Sequence, residues 1–175
     1  MANLRPLRDY NEKDVINLYA FSGTLPVNKG TLVKVVGNGW TSADELEMIG
    51  SAGDLSPSNT VSQRYGVAAK VALNGASDSA VGMTLFDIKE TDENGELLKF
   101  NPRKAAELQA VISGQAVPVV TRGIFLYDGI TGTVTAGQTL YAAASGGIAQ
   151  NGSVAVGKAL GTKDASGYCL IKLSL

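Results

Sequence analysis

Along most of the chain, apolar residues come in runs of about four to seven, and each run ends at a Gly-, Asn- or Asp-containing turn. The run at 31–36, TLVKVV, follows Lys29-Gly30 and stops at Gly37-Asn38-Gly39. The run at 64–73, RYGVAAKVAL, is followed by Asn74-Gly75, and a shorter one is predicted at 45–49. At 80–90, AVGMTLFDIKE, Thr84, Phe86 and Ile88 share one face and Leu85 and Asp87 the other, as a strand period of two requires. Asp92-Glu93-Asn94-Gly95 is a hairpin-turn signal leading into 96–100. After residue 115 the pattern is entirely of strand type, with runs at 117–127, 133–135, 138–144, 154–160 and 168–175. Short strands at about ten-residue spacing predict a mainly β fold, a small β-barrel or sandwich of antiparallel strands.

Two segments break the pattern. Asn101 is a good helix N-cap, Pro102 suits the first helical position, and Gly114 supplies a stop, so a helix is expected over about 102–113. Ala105, Leu108, Val111 and Ile112 would form its apolar stripe. Arg103 and Lys104 stand in its first turn, where cations are disfavoured by some tenths of a kcal/mol. Pairing of Arg103 with Glu107 offsets part of that. These cations therefore read either as a solvated face or as a contact for an acidic partner. The other exception is residues 1–14, with two Arg, a Pro and mixed charges ahead of any periodic run. They predict an extended arm that orders only against something else. Residues 15–21, VINLYAF, are nearly all apolar, which implies burial on both faces or docking on a neighbour; a short helix capped by Asp14 is the competing reading. Residues 50–60 hold little that could pack and read as a surface loop. The organisation expected is an arm (1–14) and one domain (15–175), with two lobes (15–100 and 115–175) joined by the helix as a variant.

Composition narrows the chemistry. There are 15 basic and 16 acidic residues, so no broad basic field draws the chain to nucleic acid. Histidine is absent, which removes the commonest general base and metal ligand. Cys169 is the single cysteine, so neither an intrachain disulfide nor a thiolate cluster can form, and it is expected in the core. No run of about 18 apolar residues is present, and the polar N-terminus lacks the apolar centre of a signal peptide. The expectation is a protein made and kept in the cytoplasm unless it leaves inside something larger. Asn151-Gly152-Ser153 fits a glycosylation sequon but reads as a turn.

The stretch GSVAVGK at 152–158 has most of the spacing of a phosphate-binding loop. Its context is wrong. Residue 159 is Ala where Ser or Thr would hold magnesium, Ser-Val-Ala-Val is strand-like, and Gly161 interrupts any following helix. The carboxylates Asp87 and Glu90, and Asp92 and Glu93, lie at a strand end and in a turn, where solvated charge is the ordinary reading. No G-x-S-x-G elbow exists, and no cofactor or metal is expected. An echo between 67–78 (VAAKVALNGASD) and 155–166 (AVGKALGTKDAS), with Lys29-Gly30 echoed by Arg122-Gly123, raises an internal duplication.

NEKDVINLYAFSG, KGTLVKVV, FNPRKAAELQAVISGQAVPVVTRGIFLY and VGKALGTKDASGYCLIKL together resemble the head decoration (cement) proteins of tailed bacteriophages, the cyanophage type above all. The likeness spans most of the chain and rests on overall pattern, with no catalytic signature. It implies a non-enzymatic virion protein, made in the host cytoplasm and placed on the capsid exterior. Such a protein bridges subunits of the major capsid protein and associates with itself, as a trimer in preference to a dimer, with no nucleic-acid or membrane partner. The contact residues this suggests are Leu4, Arg5, Leu7, Arg8 and Tyr10 of the arm, then Val15, Ile16 and Leu18, with Arg103 and Lys104 added by the dipole argument. The alternative is a carbohydrate- or receptor-binding β module of a virion or tail fibre. Trp40 bears on it, and a lone Trp beside a turn is expected to be a packed anchor.

Overall fold

The computed structural model describes residues 3–8, 10–40 and 69–175, and the statements below concern these. The strands predicted at 45–49 and over 64–68, and the loop at 50–60, lie outside them.

The fold is mainly β, in two mixed sheets packed like a sandwich. The seven-stranded sheet has the order β1 (Leu4–Arg8), β10 (Arg122–Tyr127), β15 (Cys169–Ser174), β14 (Ala155–Ala159), β12 (Thr139–Ala142), β13 (Ile148–Ala149), β11 (Ile130–Thr131). The six-stranded sheet runs β2 (Val15–Ile16), β9 (Val119–Val120), β6 (Gly82–Thr84), β4 (Leu32–Val36), β5 (Lys70–Leu73), β3 (Ala20–Phe21). A small parallel pair joins β7 (Asp87–Ile88) to β8 (Ala110–Val111). No sheet closes into a barrel, and the strands are not all antiparallel: β3–β5 and β11–β13 also pair in parallel.

Each sheet follows from its side-chain pattern. On β10 and β15, Phe125, Tyr127, Cys169, Ile171 and Leu173 point inward and are buried, alternating with exposed Arg122, Lys172 and Ser174. The centre of the six-stranded sheet is buried on both faces, whereas Val36 at the end of β4 is exposed. Leu32, Met83 and Val120 pack in a core shared with the seven-stranded sheet. Val33, Val71 and Val119 pack on the other side with Phe21, Val27, Ile88, Val111 and Val117. A central layer of this kind requires near-continuous apolar runs, as in VPVV and in LVKVV apart from Lys34, which pairs with Asp78. Gly82 permits the closeness of β6 to β9, because a Cβ there would collide with Val119 and the Val120 carbonyl.

Three expectations are corrected. Residues 4–8 are not a free arm. Leu4 pairs with Tyr127 and Pro6 with Phe125, and Leu4 is 1% exposed. Pro6 is tolerated because β1 is an edge strand. The helix, α1, spans Pro102–Glu107 only. Gln109 turns left-handed (φ 49°), and the chain re-enters as β8, burying Val111 against the six-stranded sheet. Burial of β-branched side chains outweighs one more helical turn here. Residues 80–90 form two short strands, β6 and β7, and 133–135 form none, although Val134 is buried.

The two halves of the chain populate different sheets, with two exchanges. β1 joins the C-terminal sheet, and β9 joins the N-terminal one. The echoed segments do not share a pairing pattern: β4 and β5 are neighbours, whereas β15 separates β10 from β14.

Candidate interaction surface

The N-terminal segment crosses from the edge of one sheet to the edge of the other, and its residues are fixed at several points. Asn3 donates its N–H to Asp128 Oδ1 (2.5 Å) and its amide to the Tyr168 hydroxyl (3.0 Å). Arg5 lies 5.0 Å over the Tyr168 ring. The register shifts between Pro6 and Arg8, and Leu7 stands out at this bulge, 58% exposed. Arg8 closes the strand opposite Ile124. Tyr10 packs on Phe125 at 5.6 Å between ring centres while its outer edge faces solvent. The 3-10 turn Glu12–Asp14 is held by a capping box: Asn11 Oδ1 accepts from the Lys13 N–H (2.8 Å), and the Asn11 N–H donates to Asp14 Oδ2 (2.9 Å). The competing helix capped by Asp14 does not form. Val15 and Ile16 are half-buried in β2, and Leu18 is 51% exposed.

Of the residues nominated from sequence, Leu4 is thus interior, whereas Arg5, Leu7, Tyr10 and Leu18 are presented outward. Tyr10 and Val15 line a shallow groove together with Glu12, Leu85, Phe86 and Pro118, so the strap and the β6–β7 connection meet in one apolar hollow.

The helix cations separate sharply. Arg103 projects into solvent and pairs with Glu107 (3.2 Å). Lys104 turns inward and pairs with Asp92, whose side chain is shielded from solvent. Asp92 also accepts the N–H groups of Asn94 and Glu96, both at 2.8 Å. The Lys104 ammonium, with these two amides, holds the Asp92 carboxyl below the usual carboxylate range despite opposing desolvation. Lys104 is therefore a clamp between α1 and the 92–95 turn and leaves the set of partner contacts. Asp92 is correspondingly buried where a solvated turn carboxylate was expected. The signal available in the sequence was the Asx-type turn at Asp92 next to a helix with an unfavourably placed Lys.

Several exposed apolar groups were not anticipated. Phe100 is 77% exposed with Lys99 over its ring, and Leu97 lies just before it. Trp40 is 47% exposed rather than a packed anchor. The second half of the phosphate-loop spacing, from Ala155, falls in β14, paired on both sides, and Gly157 is required because a Cβ would meet the Lys172 carbonyl. Cys169 is buried with its thiol toward the Gly161 carbonyl (3.2 Å), and burial pushes its pKa up. Among the described residues, no group of three His, Cys, Asp or Glu side chains is placed to hold a metal ion. No described helix is long and apolar enough to cross a membrane.

In comparisons with known proteins, the chain matches no protein-family model, no curated protein and no solved structure.

Proposed function

We propose that the protein is a structural virion component that binds the outer surface of an expanded capsid and bridges major capsid subunits, stabilising the head against internal DNA pressure. The observation that carries this reading is the N-terminal segment, whose β1 pairing and capped turn accompany exposed Leu7, Tyr10 and Leu18 beside an apolar hollow. Large apolar side chains on an ordered backbone favour adhesion, because the backbone's conformational freedom is already spent before binding. Self-association as a trimer would let weak contacts act together through effective concentration. A ligand that binds only the expanded shell then stabilises that shell by linkage.

The test uses capsids assembled without this protein. Adding the purified protein should raise their thermal disruption temperature, and Leu7→Ser with Leu18→Ser should abolish most of the gain while leaving the fold intact. No binding by the wild-type protein, or binding with no thermal gain, counts against the reading. The carbohydrate-binding alternative is favoured by exposed Trp40 alone, and a glycan array with Trp40→Ala as control separates the two.

A further inference from the structure

The outward face of the seven-stranded sheet carries an unusual row. Ile124 of β10 stands opposite Lys172 of β15, Lys172 opposite Lys158 of β14, and Lys158 opposite Thr139 of β12. Paired positions share a face, so the two lysines lie side by side. Arg122, two residues from Ile124 on the same strand and opposite Ser174, adds a third cation to this face. Arg122, Lys158 and Lys172 are all exposed, and none joins an ion pair among the described residues. The next row along reads Arg5, Leu126, Leu170, with exposed Leu160 donating its N–H to the Leu170 carbonyl (2.7 Å). No acidic residue occupies either row. Asp14 borders the hollow shared by Arg122 and Lys172, and its carboxylate accepts the Asn11 N–H.

Like charges directly opposite in an antiparallel pair destabilise a sheet. Here the chain is nearly neutral overall, at −1, yet it sets two lysines against each other with no ion pair to either among the described residues. The rows of leucine beside them are also out of place on a purely solvated face. Both features are relieved by one kind of neighbour. We infer that this face docks an acidic protein segment in extended form, its carboxylates over Lys158, Lys172 and Arg122 and its apolar side chains over Leu126, Leu170 and Leu160. A nucleic acid fits less well. The cations are few, a row of leucines flanks them, and Tyr10, the aromatic bordering their hollow, is packed on Phe125. The inference names a contact face for the adhesion proposed above and rests on that reading only for the partner's identity.

Two arms test it on the full chain. In the first, fluorescence anisotropy at low salt follows binding of an alternating Glu-Val decapeptide, with a Lys-Val decapeptide and a single-stranded DNA 20-mer as comparisons. Wild-type protein should prefer the Glu-Val probe, and Lys158→Gln with Lys172→Gln should weaken it by about tenfold and flatten its salt dependence. Arg122→Gln, at the strand end, provides a second variant should the double one fold poorly. In the second arm, capsids lacking the protein are titrated with the same variants. Wild-type binding to capsids with unchanged binding by both variants overturns this inference and leaves the capsid reading standing. Failure of wild-type capsid binding removes the capsid reading, and the peptide arm then decides the inference alone. Preference for DNA, or equal affinity for the acidic and basic peptides, overturns it.

Discussion

Neighbouring residues along β4 go to different cores: Leu32 to the one between the sheets, Val33 to the one under β7–β8. Along β10 and β15 they divide instead between core and solvent, Phe125 and Ile171 inward, Arg122 and Lys172 outward. The centre of the six-stranded sheet is therefore a middle layer, and substitutions at its doubly buried positions act on stability. The seven-stranded sheet can be rewritten on one face without touching the core, which suits it to recognition over a broad sheet surface. The strap is intermediate. Leu4 is core and Leu7 is surface, three residues apart on one strand.

The sharpest way to break this contrast is to truncate the inward side. Phe125→Ala should cost about 3–5 kcal/mol in urea denaturation, because a fully buried ring leaves a cavity. A loss below about 1 kcal/mol would mean that the two sheets do not share the core described. Leu4→Ala is expected to cost about 2–4 kcal/mol by the same measurement, since its side chain lies in that core. A neutral result would return residues 4–8 to the status of a free arm.

The helix cations sharpen the comparison at smaller scale. Lys104→Met should lower Tm by several degrees, because it strands a shielded carboxylate, while Arg103→Met should shift stability by no more than about 0.5 kcal/mol, its pair with Glu107 being exposed. Equal effects would remove the clamp from the account. The same site has a pH signature. The folded-state pKa of Asp92 is depressed, so its stabilisation is complete above the ordinary carboxylate value of about 4 and is lost as pH falls below it. Asp78, held down chiefly by Lys34 (2.6 Å) and also by the Gly75 N–H, adds in the same direction. Wild-type Tm should fall between pH 4 and 2 more steeply than that of Asp92→Asn, and parallel curves would contradict the assignment. The smallest effect is expected at the outer row. Lys158→Gln with Lys172→Gln should leave stability unchanged or raise it by about 0.2–1 kcal/mol, through removal of the repulsion. A clear loss in denaturant melts would show that these lysines serve the fold.

Much of the local structure is legible in the chain. The hairpin turn is present at Asp92–Gly95, with the Asp92 N–H bonded to the Glu96 carbonyl at 3.0 Å. Asn101 caps α1 by accepting the Lys104 N–H at 3.3 Å, with Pro102 behind it. The alternation of 168–175 places Cys169, Ile171 and Leu173 inward as a period of two requires. These features depend on residues within a few positions of one another, and short-range sterics and hydrogen bonds decide them.

What escaped the sequence depends on partners far along the chain. Residues 4–8 look like an arm because their partner strand, β10, begins more than a hundred residues later. The apolar stripe of 102–113 is compatible with a longer helix, and only the slot beside Asp87–Ile88 makes Ala110–Val111 a strand. Lys104 looks exposed by helix periodicity, and its clamp exists only because the 92–95 turn folds back over the helix. Lys158 and Lys172 are unremarkable until antiparallel pairing sets them face to face. Sequence alone determined the mainly β character, the turn at Asp92–Gly95 and the helix start, since local propensities and side-chain alternation are properties of adjacent residues. Strand order, the doubly buried middle layer and the cationic outer row were decided by tertiary structure, because register between distant segments settles which residues share a face and which are removed from water.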